Sequence, residues 1–345
     1  MHYLNNTTIH DLLLNLTGTE ALNFLHIIET TLCDFSTGNE RHHQASPSTT
    51  TRPTGQRTLF RPFTSDSSVG CKIIVESPPT QYGKKEPLHG IIVILDAHGH
   101  PTGLLAAEEV TGFRTSMNAM VPFCWRKHVE SIVIFGAGVQ ALWHTRLILM
   151  LRGDEVKRIT FVNGCQERVK GLIETVRREN EVRWRSACVF GFIISSAEDA
   201  REQIKDCLAK VDCVFCTTPS RTPLFPADYL TEREESWQPF VSAVGSWQAD
   251  MIELDPGLLR YAVGVQGGYN PVTGEDRGVV LVDDRDYALE NAGEVVQSGL
   301  GAEEMVELGK VISLKGGTVP AVSDRQVEKT DRFISEGIKF LNVTP

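Results

Sequence analysis

The chain has 345 residues, which is enough for two domains that each bury a hydrophobic core. Its 34 Lys and Arg residues against 44 Asp and Glu residues give a formal net charge of −10, which disfavours nucleic acid and anionic membranes as partners. No apolar run approaches the roughly 20 residues of a membrane-spanning helix, and no basic region precedes the leucines at 12–14. With eight cysteines in no framework spacing, we expect a cytoplasmic protein with free thiols.

The N-terminal part of the chain is predicted to form a sheet with few helices. A short strand precedes apolar residues at helical spacing over 12–32, and a polar stretch over 41–56 indicates a loop. A turn is expected at 96–103, and a helix begins at 108. Strand-like runs lie at 58–60, 69–75, 90–95 and 104–107. This order predicts an antiparallel or mixed sheet.

From residue 131 onward, strands alternate with helical segments. The predicted helices cover 141–152, 166–180 and 197–209. The predicted strands cover 131–135, 158–162, 187–193, 212–216, 240–244, 262–266 and 279–282. Such alternation is typical of a doubly wound parallel sheet, so we predict an α/β fold. The tail after Lys315 is expected to return to the first domain.

A glycine-rich turn follows the apolar strand at 131–135 and opens a helix. It matches the dinucleotide pattern G-x-G-x-x-G/A, in which the first glycine permits the tight turn and the second lets the backbone approach a pyrophosphate. The small last residue allows the helix to pack closely, and the helix N-terminus favours the phosphate charge. The residues of this loop are Gly136, Ala137, Gly138, Val139, Gln140 and Ala141.

The end of the next strand distinguishes NAD from NADP. An acidic residue at this tip would bind the 2′-hydroxyl of NAD, but the chain has Asn163 there. Asn163 does not repel a 2′-phosphate, and Arg168 lies near enough in sequence to pair with one. We therefore predict NADP in preference to NAD as the cofactor.

Several segments together resemble the ornithine cyclodeaminase/mu-crystallin family. The resemblance covers most of residues 58–300, and its order and spacing are more specific than the glycine turn alone. The segments are Val69-Gly-Cys-Lys72-Ile-Ile-Val75, Gly90-Ile-Ile-Val-Ile-Leu-Asp96, Thr102-Gly103, Ala107-Glu-Glu-Val-Thr111-Gly-Phe-Arg114-Thr115, Phe135-Gly-Ala-Gly138-Val-Gln140-Ala141, Thr217-Thr218-Pro219-Ser220, Val244-Gly245-Ser246 and Glu253-Leu254-Asp255.

The resemblance implies a Rossmann-type dinucleotide-binding domain joined to an α+β substrate-binding and dimerisation domain formed by both chain ends. We place the first at 128–317 and the second at 1–127 with 318–345. It also implies a homodimer that binds a small amino or imino acid. The resemblance adds four cofactor-binding candidates beyond the glycine loop, which are Thr217, Thr218, Val244 and Gly245.

Two residues of the first domain are the candidate catalytic pair. The resemblance gives Lys72 the place of the family's strand lysine and Arg114 that of the arginine that binds the substrate carboxylate. The residue chemistry agrees, because a lysine inside an apolar strand is costly to bury unless it has a partner. A guanidinium group offers a planar fork to a carboxylate.

The chain departs from the family pattern at three places. Trp247 stands where the ring-closing deaminases carry an aspartate, and a second family arginine falls by spacing near Pro47. Arg52, Arg57 and Arg61 are the possible replacements for that arginine. The C-terminal Lys-Ser-x-Gly element appears as Ile334-Ser335-Glu336-Gly337.

Other signals are interpreted as structural. Cys213 and Cys216 match C-x-x-C but lie in a predicted buried strand, and no His, Cys or carboxylate set has metal-ligand spacing, so we predict no metal. His144 is expected to be a core or surface histidine of the helix rather than a general base.

These observations favour an NAD(P)-dependent oxidoreductase that acts on the C–N bond of a small amino or imino acid, by reducing a ketimine such as a cyclic imine carboxylate. One alternative is an ammonia lyase of the ornithine cyclodeaminase type that uses NAD⁺. Another is a non-catalytic protein of the mu-crystallin type that binds NADPH or a small ligand.

Overall fold

The computed structural model describes residues 2–78, 88–233, 238–246, 248–316, 324–336 and 339–342, with the backbone alone for 324–326 and 339–342. The chain divides into two compact units. The first consists of Met1–Thr17 and Gly38–Arg114, and the second of Gly18–Thr37 and Thr115–Pro345.

The N-terminal elements in chain order begin with a short strand and two helices. They are β1 (His2–Leu4), α1 (Asn6–Leu14), α2 (Gly18–Thr37), a 3₁₀ turn (Glu40–His43), β2 (Ser48–Thr51), β3 (Arg57–Thr64), β4 (Ser68–Glu76), β5 (His89–Asp96), β6 (Pro101–Ala106) and α3 (Ala107–Cys124). The helical stretch predicted over 12–32 is thus two helices, because α1 ends at Leu14 and Asn15 caps it. The predicted loop contains β2.

The remaining elements alternate between strands and helices. They are β7 (Ser131–Phe135), α4 (Val139–Arg152), β8 (Arg158–Asn163), α5 (Gln166–Val182), β9 (Val189–Ile194), α6 (Ala200–Ala209), β10 (Cys213–Cys216), α7 (Asp228–Thr231), β11 (Phe240–Ala243), α8 (Pro256–Gly264), β12 (Val280–Val282), α9 (Arg285–Asn291), α10 (Gly293–Ser298), a 3₁₀ turn (Ala302–Glu304), β13 (Met305–Glu307), α11 (Leu308–Lys315), α12 (Asp324–Glu336) and β14 (Lys339–Asn342).

The first unit contains a six-stranded mixed sheet in the order β1-β6-β5-β4-β3-β2. β1 pairs with β6 in parallel, and every other pairing in this sheet is antiparallel. The pairing of β3 with β4 places Arg61 directly opposite Lys72. Directly opposed residues project from the same face of a sheet, so the two basic side chains share a face.

The second unit contains an eight-stranded parallel sheet in the order β13-β12-β14-β11-β10-β7-β8-β9. Its central strands β7 and β10 carry buried apolar residues on both faces, as expected when helices cover both sides of a parallel sheet. The chain order reverses between β7 and its neighbours β8 and β10, and ligands of such folds bind at the carboxyl ends of the strands near this reversal. The predicted α/β class with a parallel sheet and a second unit is confirmed.

The strand predicted at 262–266 is wrong. Residues 256–264 form α8, because Asp255 accepts a hydrogen bond from the Gly257 N–H at 2.8 Å and Pro256 occupies the first turn. Four buried apolar side chains then lie on one side of the helix: Leu258, Leu259, Ala262 and Val263.

The observed units differ in extent from the predicted domains. Helix α2 groups with the second unit, where it packs on α11 so closely that a Cβ atom on Gly309 would lie 1.9 Å from the Leu32 carbonyl oxygen. Strand β14 pairs in parallel with β11 and β12, so the described C-terminal residues belong to the second unit and not to the first. Within the described residues, no helix has the length and hydropathy that a membrane span requires.

Candidate functional site

The glycine turn after β7 has the geometry that its sequence pattern predicts. Gly136 has φ of +120°, which side chains other than glycine rarely adopt, and a Cβ there would lie 2.4 Å from the Thr217 Oγ1. Gly138 differs, since its φ is −105° and a Cβ built on it meets no atom within 4 Å. Gly136 is therefore required by the fold, whereas Gly138 leaves open space above the loop.

Helix α4 begins in this open space. Gly138 is its N-cap and offers no side chain that could cap the backbone amides of the first turn. Ala141 is completely buried, which allows the close packing that the pattern implies. A helix start without a side-chain cap, its positive dipole end and room for a pyrophosphate fit a dinucleotide at this loop.

The tip of β8 is polar without being acidic. Asn163 ends the strand, and its Oδ1 accepts a hydrogen bond from the Cys165 N–H at 2.8 Å. Arg168 lies in the first turn of α5 and is exposed. An exposed guanidinium group therefore follows the strand tip, in the first turn of the next helix.

The other cofactor candidates lie where β10 and β11 end. Thr217 follows β10, and its hydroxyl donates to the Phe135 carbonyl at 2.7 Å. Thr218 and Gly245 are both hydrogen-bonded to the carboxylate of Glu253. Val244 is buried at the end of β11. The cofactor candidates thus all belong to the second unit, and the loops after β7, β10 and β11 are in contact there.

The two catalytic candidates belong to the first unit. Lys72 lies in the middle of β4, and Arg114 lies on α3. Burial, together with the positive charges of Arg114 and Arg61, lowers the pKa of Lys72 from 10.5 to about 7. These cations form a positively charged site in which a lysine can exchange a proton near neutral pH.

The structure separates the three replacement candidates for the second family arginine. Arg52 is exposed in a turn, and Arg57 forms an ion pair with Glu76 at 3.5 Å. Arg61 is the one opposite Lys72. The pairing of β2 with β3 ends with Ser48 opposite Phe60. Pro47, near which the second family arginine falls by spacing, is therefore the next residue toward Arg61 along this pairing.

The other two departures from the family pattern are at Trp247 and Ile334. Trp247 lies outside the described residues. Ile334 is buried in α12, so an apolar residue at this position serves packing.

The residues that the sequence analysis interprets as structural, Cys213, Cys216 and His144, are buried. Cys213 and Cys216 lie in β10 without exposure. Burial lowers the pKa of His144 to about 4, and its Nδ1 lies 2.9 Å from the Ser116 hydroxyl oxygen. In the described part of the chain, no group of three or more His, Cys, Asp and Glu residues is arranged to hold a metal ion.

Two residues of the candidate sites, Arg61 and Glu253, could not be singled out from the sequence. Arg61 was one of three equal candidates, and Glu253 was only part of a Glu-Leu-Asp segment. Their positions depend on strand register and on loop contacts between residues 35 apart in the chain, which no local pattern records.

Comparisons with known proteins agree with these features. No protein-family model matches the chain. An uncharacterised cyclodeaminase of Dictyostelium discoideum is 27% identical over 198 residues, which is 55% of this chain and 53% of that protein, so the chain spans about half the length of this relative. The ketimine reductase mu-crystallin of Mus musculus is 27% identical over 256 residues, or 73% of this chain and 66% of that protein.

A solved structure has the same fold. The Δ1-pyrroline-2-carboxylate reductase of Thermococcus litoralis, in complex with NADH and L-proline, superimposes with a TM-score of 0.72 at 14% identity, covering 100% of this chain and 92% of that one. This likeness establishes the two-domain Rossmann-type architecture. With these relatives and this neighbour, the resemblance to the ornithine cyclodeaminase/mu-crystallin family that the sequence indicates is confirmed.

Proposed function

We propose that this protein is an NAD(P)-dependent oxidoreductase that acts on the C–N bond of a small amino or imino acid, and that it reduces a ketimine such as a cyclic imine carboxylate. The observation that carries the proposal is Lys72, whose pKa is lowered to about 7 beside Arg114 and Arg61. A group that titrates near the working pH is suited to move a proton to or from nitrogen. We propose a cytoplasmic location, since all eight cysteines are free thiols.

The second unit has the residues to hold the cofactor. The first-turn amides of α4 would bind the pyrophosphate above Gly138, and Asn163 and Arg168 would bind the ribose and its 2′-phosphate. Thr217, Thr218, Val244 and Gly245 would contact the nicotinamide end, because they lie at the carboxyl ends of the strands. When bound, NADPH or NADH supplies a hydride.

The first unit would hold the substrate. Arg114 would bind the carboxylate through two parallel hydrogen bonds, and Arg61 would add positive charge on the same face as Lys72. Lys72 would donate a proton to the imine nitrogen, because a protonated imine accepts a hydride more readily. A carboxylate that arrives beside Lys72 raises the pKa of the lysine and keeps this proton in place.

The activity is tested by following NADPH and NADH oxidation with five- and six-membered cyclic ketimine carboxylates and with linear ketimines. We expect turnover with at least one cyclic substrate. Release of ammonia and proline from ornithine, with no net change in the cofactor, would instead show the cyclodeaminase reaction. Saturable NADPH binding with no turnover on any imine would show a binding protein.

Removal of the Arg168 charge is expected to change the choice of cofactor. Arg168→Ala should weaken NADPH binding by about tenfold, the scale of one charge-assisted hydrogen bond, and leave NADH binding unchanged. Fluorescence titration with both nucleotides measures this ratio. Because Arg168 is exposed, Arg178→Ala on the same helix is a matched control for charge. An unchanged ratio would place the 2′-phosphate elsewhere.

We propose that the protein is a homodimer. None of the apolar side chains on β3, β4, β5 and β6 is fully buried, although adjacent isoleucines such as Ile73 and Ile74 point to opposite faces of the sheet. Apolar surface of this kind is normally covered, and a second copy of the chain is the commonest cover. Light scattering should give twice the 38.2 kDa of the chain. A monomer mass at micromolar concentration would contradict the proposal.

A further inference from the structure

One carboxylate connects two of the loops in the nucleotide-binding unit. Glu253 is completely buried. Its Oε1 accepts hydrogen bonds from the Thr218 N–H at 2.5 Å and from the Thr218 hydroxyl at 3.0 Å, and its Oε2 accepts one from the Gly245 N–H at 2.6 Å. Thr218 lies just after β10 and Gly245 just after β11, so a single side chain joins the carboxyl ends of both strands.

The backbones of these loops are packed without space for adjustment. A Cβ on Gly245 would lie 2.0 Å from the Thr218 carbonyl oxygen and 2.7 Å from the Glu253 Cδ. The neighbouring Thr217 packs on Gly136 of the dinucleotide loop in the same way. A shift at Glu253 would therefore be passed to the loops that line the carboxyl edge of the sheet, where ligands of this fold bind.

A buried carboxylate is a costly way to hold two loops together. Ionised groups lose hydration on burial, and the acidic Glu294 of α10 lies near enough to act on the same carboxyl group. A neutral side chain at this position would avoid the desolvation cost of a charge. Buried and electrostatically disfavoured carboxylates are more frequent at functional sites, because the charge itself is used there.

We propose that Glu253 is a positioning residue, whose ionised carboxylate holds the loops after β10 and β11 in the geometry that receives the nicotinamide end of the cofactor. This inference rests on the proposed function, since it assumes that NADPH or NADH binds the second unit. Only the ionised form has acceptors for all three donors without competition. A proton on either oxygen adds a donor to a cluster that consists of donors.

The charge state of Glu253 changes in an accessible pH range. Burial and the charge of Glu294 raise the pKa of Glu253 from 4.5 to about 8, although the hydrogen bonds from Thr218 and Gly245 act to lower it. These carboxylates also act on the buried Cys216 thiol of β10, whose pKa is raised well above 9 and which stays protonated. The ionised form of Glu253, which holds the two loops in this proposal, therefore becomes dominant between pH 7 and pH 9.

The test measures NADPH and NADH binding by fluorescence titration at pH 7 and pH 9. The wild type should bind about tenfold more tightly at pH 9, because the ionised fraction of a group with a pKa near 8 rises about tenfold. Glu253→Gln should bind about tenfold more weakly than the wild type at pH 9 and show no pH response. Glu179→Gln is the control, since it removes a buried carboxylate that pairs with Arg146 between α4 and α5. It should keep the pH response.

Thermal unfolding separates positioning from stability. A buried carboxyl group whose pKa is raised binds more protons in the folded state than in the unfolded state, so the free energy of unfolding falls as pH rises from about 4.5 to about 8. The melting temperature of the wild type relative to Glu253→Gln should therefore fall between pH 7 and pH 9, while its relative affinity for the cofactor rises. A merely structural role would move both quantities in the same direction.

The outcomes distinguish this inference from the proposed function. If Glu253→Gln keeps the affinity and the pH response of the wild type, the role of Glu253 is wrong and the proposed function stands. If the wild type binds neither nucleotide at either pH, the proposed function fails first.

Discussion

Gly138→Val is expected to abolish detectable NADPH and NADH binding, a loss of about 100-fold or more, while the protein stays folded. The φ of Gly138 is −105° and no atom lies within 4 Å of a Cβ at this position, so the folded chain accepts the side chain. The bound pyrophosphate does not, because it needs the backbone at that point. Fluorescence titration gives the affinity, and thermal unfolding shows that the fold is retained.

Two further glycines make this experiment specific. Gly171→Ala is the control, since Gly171 in α5 also has nothing within 4 Å of an added Cβ and should keep the wild-type affinity. Gly136→Val should instead destabilise the protein, because its φ is +120° and the Thr217 hydroxyl occupies the space of the side chain. If Gly138→Val retains its affinity, the glycine loop does not bind the cofactor.

Lys72→Ala is expected to lower kcat by about 10²–10⁴-fold, the range for a group that transfers a proton in the transition state. In the wild type, kcat/KM should fall as pH rises through about 7, because the free enzyme then loses the proton of Lys72. The profile of kcat should lie at higher pH, since the substrate carboxylate raises the pKa of the lysine in the complex. In Lys72→Ala, the decrease near pH 7 should disappear.

Arg114→Lys complements this variant. It should raise KM strongly with a smaller effect on kcat, because an ammonium group cannot reproduce the two parallel hydrogen bonds of a guanidinium. Its NADPH affinity should equal that of the wild type. If both variants stay close to wild-type kinetics on the best substrate, the substrate site is not at Lys72 and Arg114.

The α/β class and the candidate cofactor loop could be predicted from the sequence. The loop from Gly136 to Ala141 is formed by residues that are neighbours in the chain, so its turn, its helix start and its open space follow from local geometry. The same holds for the apolar runs of β7, β8 and β10, whose composition and length distinguish strands from helices.

Other features could not be predicted because they depend on which segments meet. The apolar run at 262–266 fits a strand or a helix, and the cap at Asp255 together with packing made it part of α8. The apolar end of the chain was expected in the first domain, whereas β14 pairs between β11 and β12. The sequence of a short apolar segment does not identify the strand with which it will pair.

By itself, the sequence determined the residue types that the proposed chemistry needs: the glycine loop, a lysine in an apolar strand and an arginine within a predicted helix. Only the tertiary structure decided that Arg61 lies opposite Lys72 and that Glu253 joins Thr218 to Gly245. The physical reason is how far apart in the chain the interacting groups lie. A turn or a helix cap depends on bonds between near neighbours, whereas the pKa of Lys72 or Glu253 depends on burial and on charges that folding brings from distant parts of the chain.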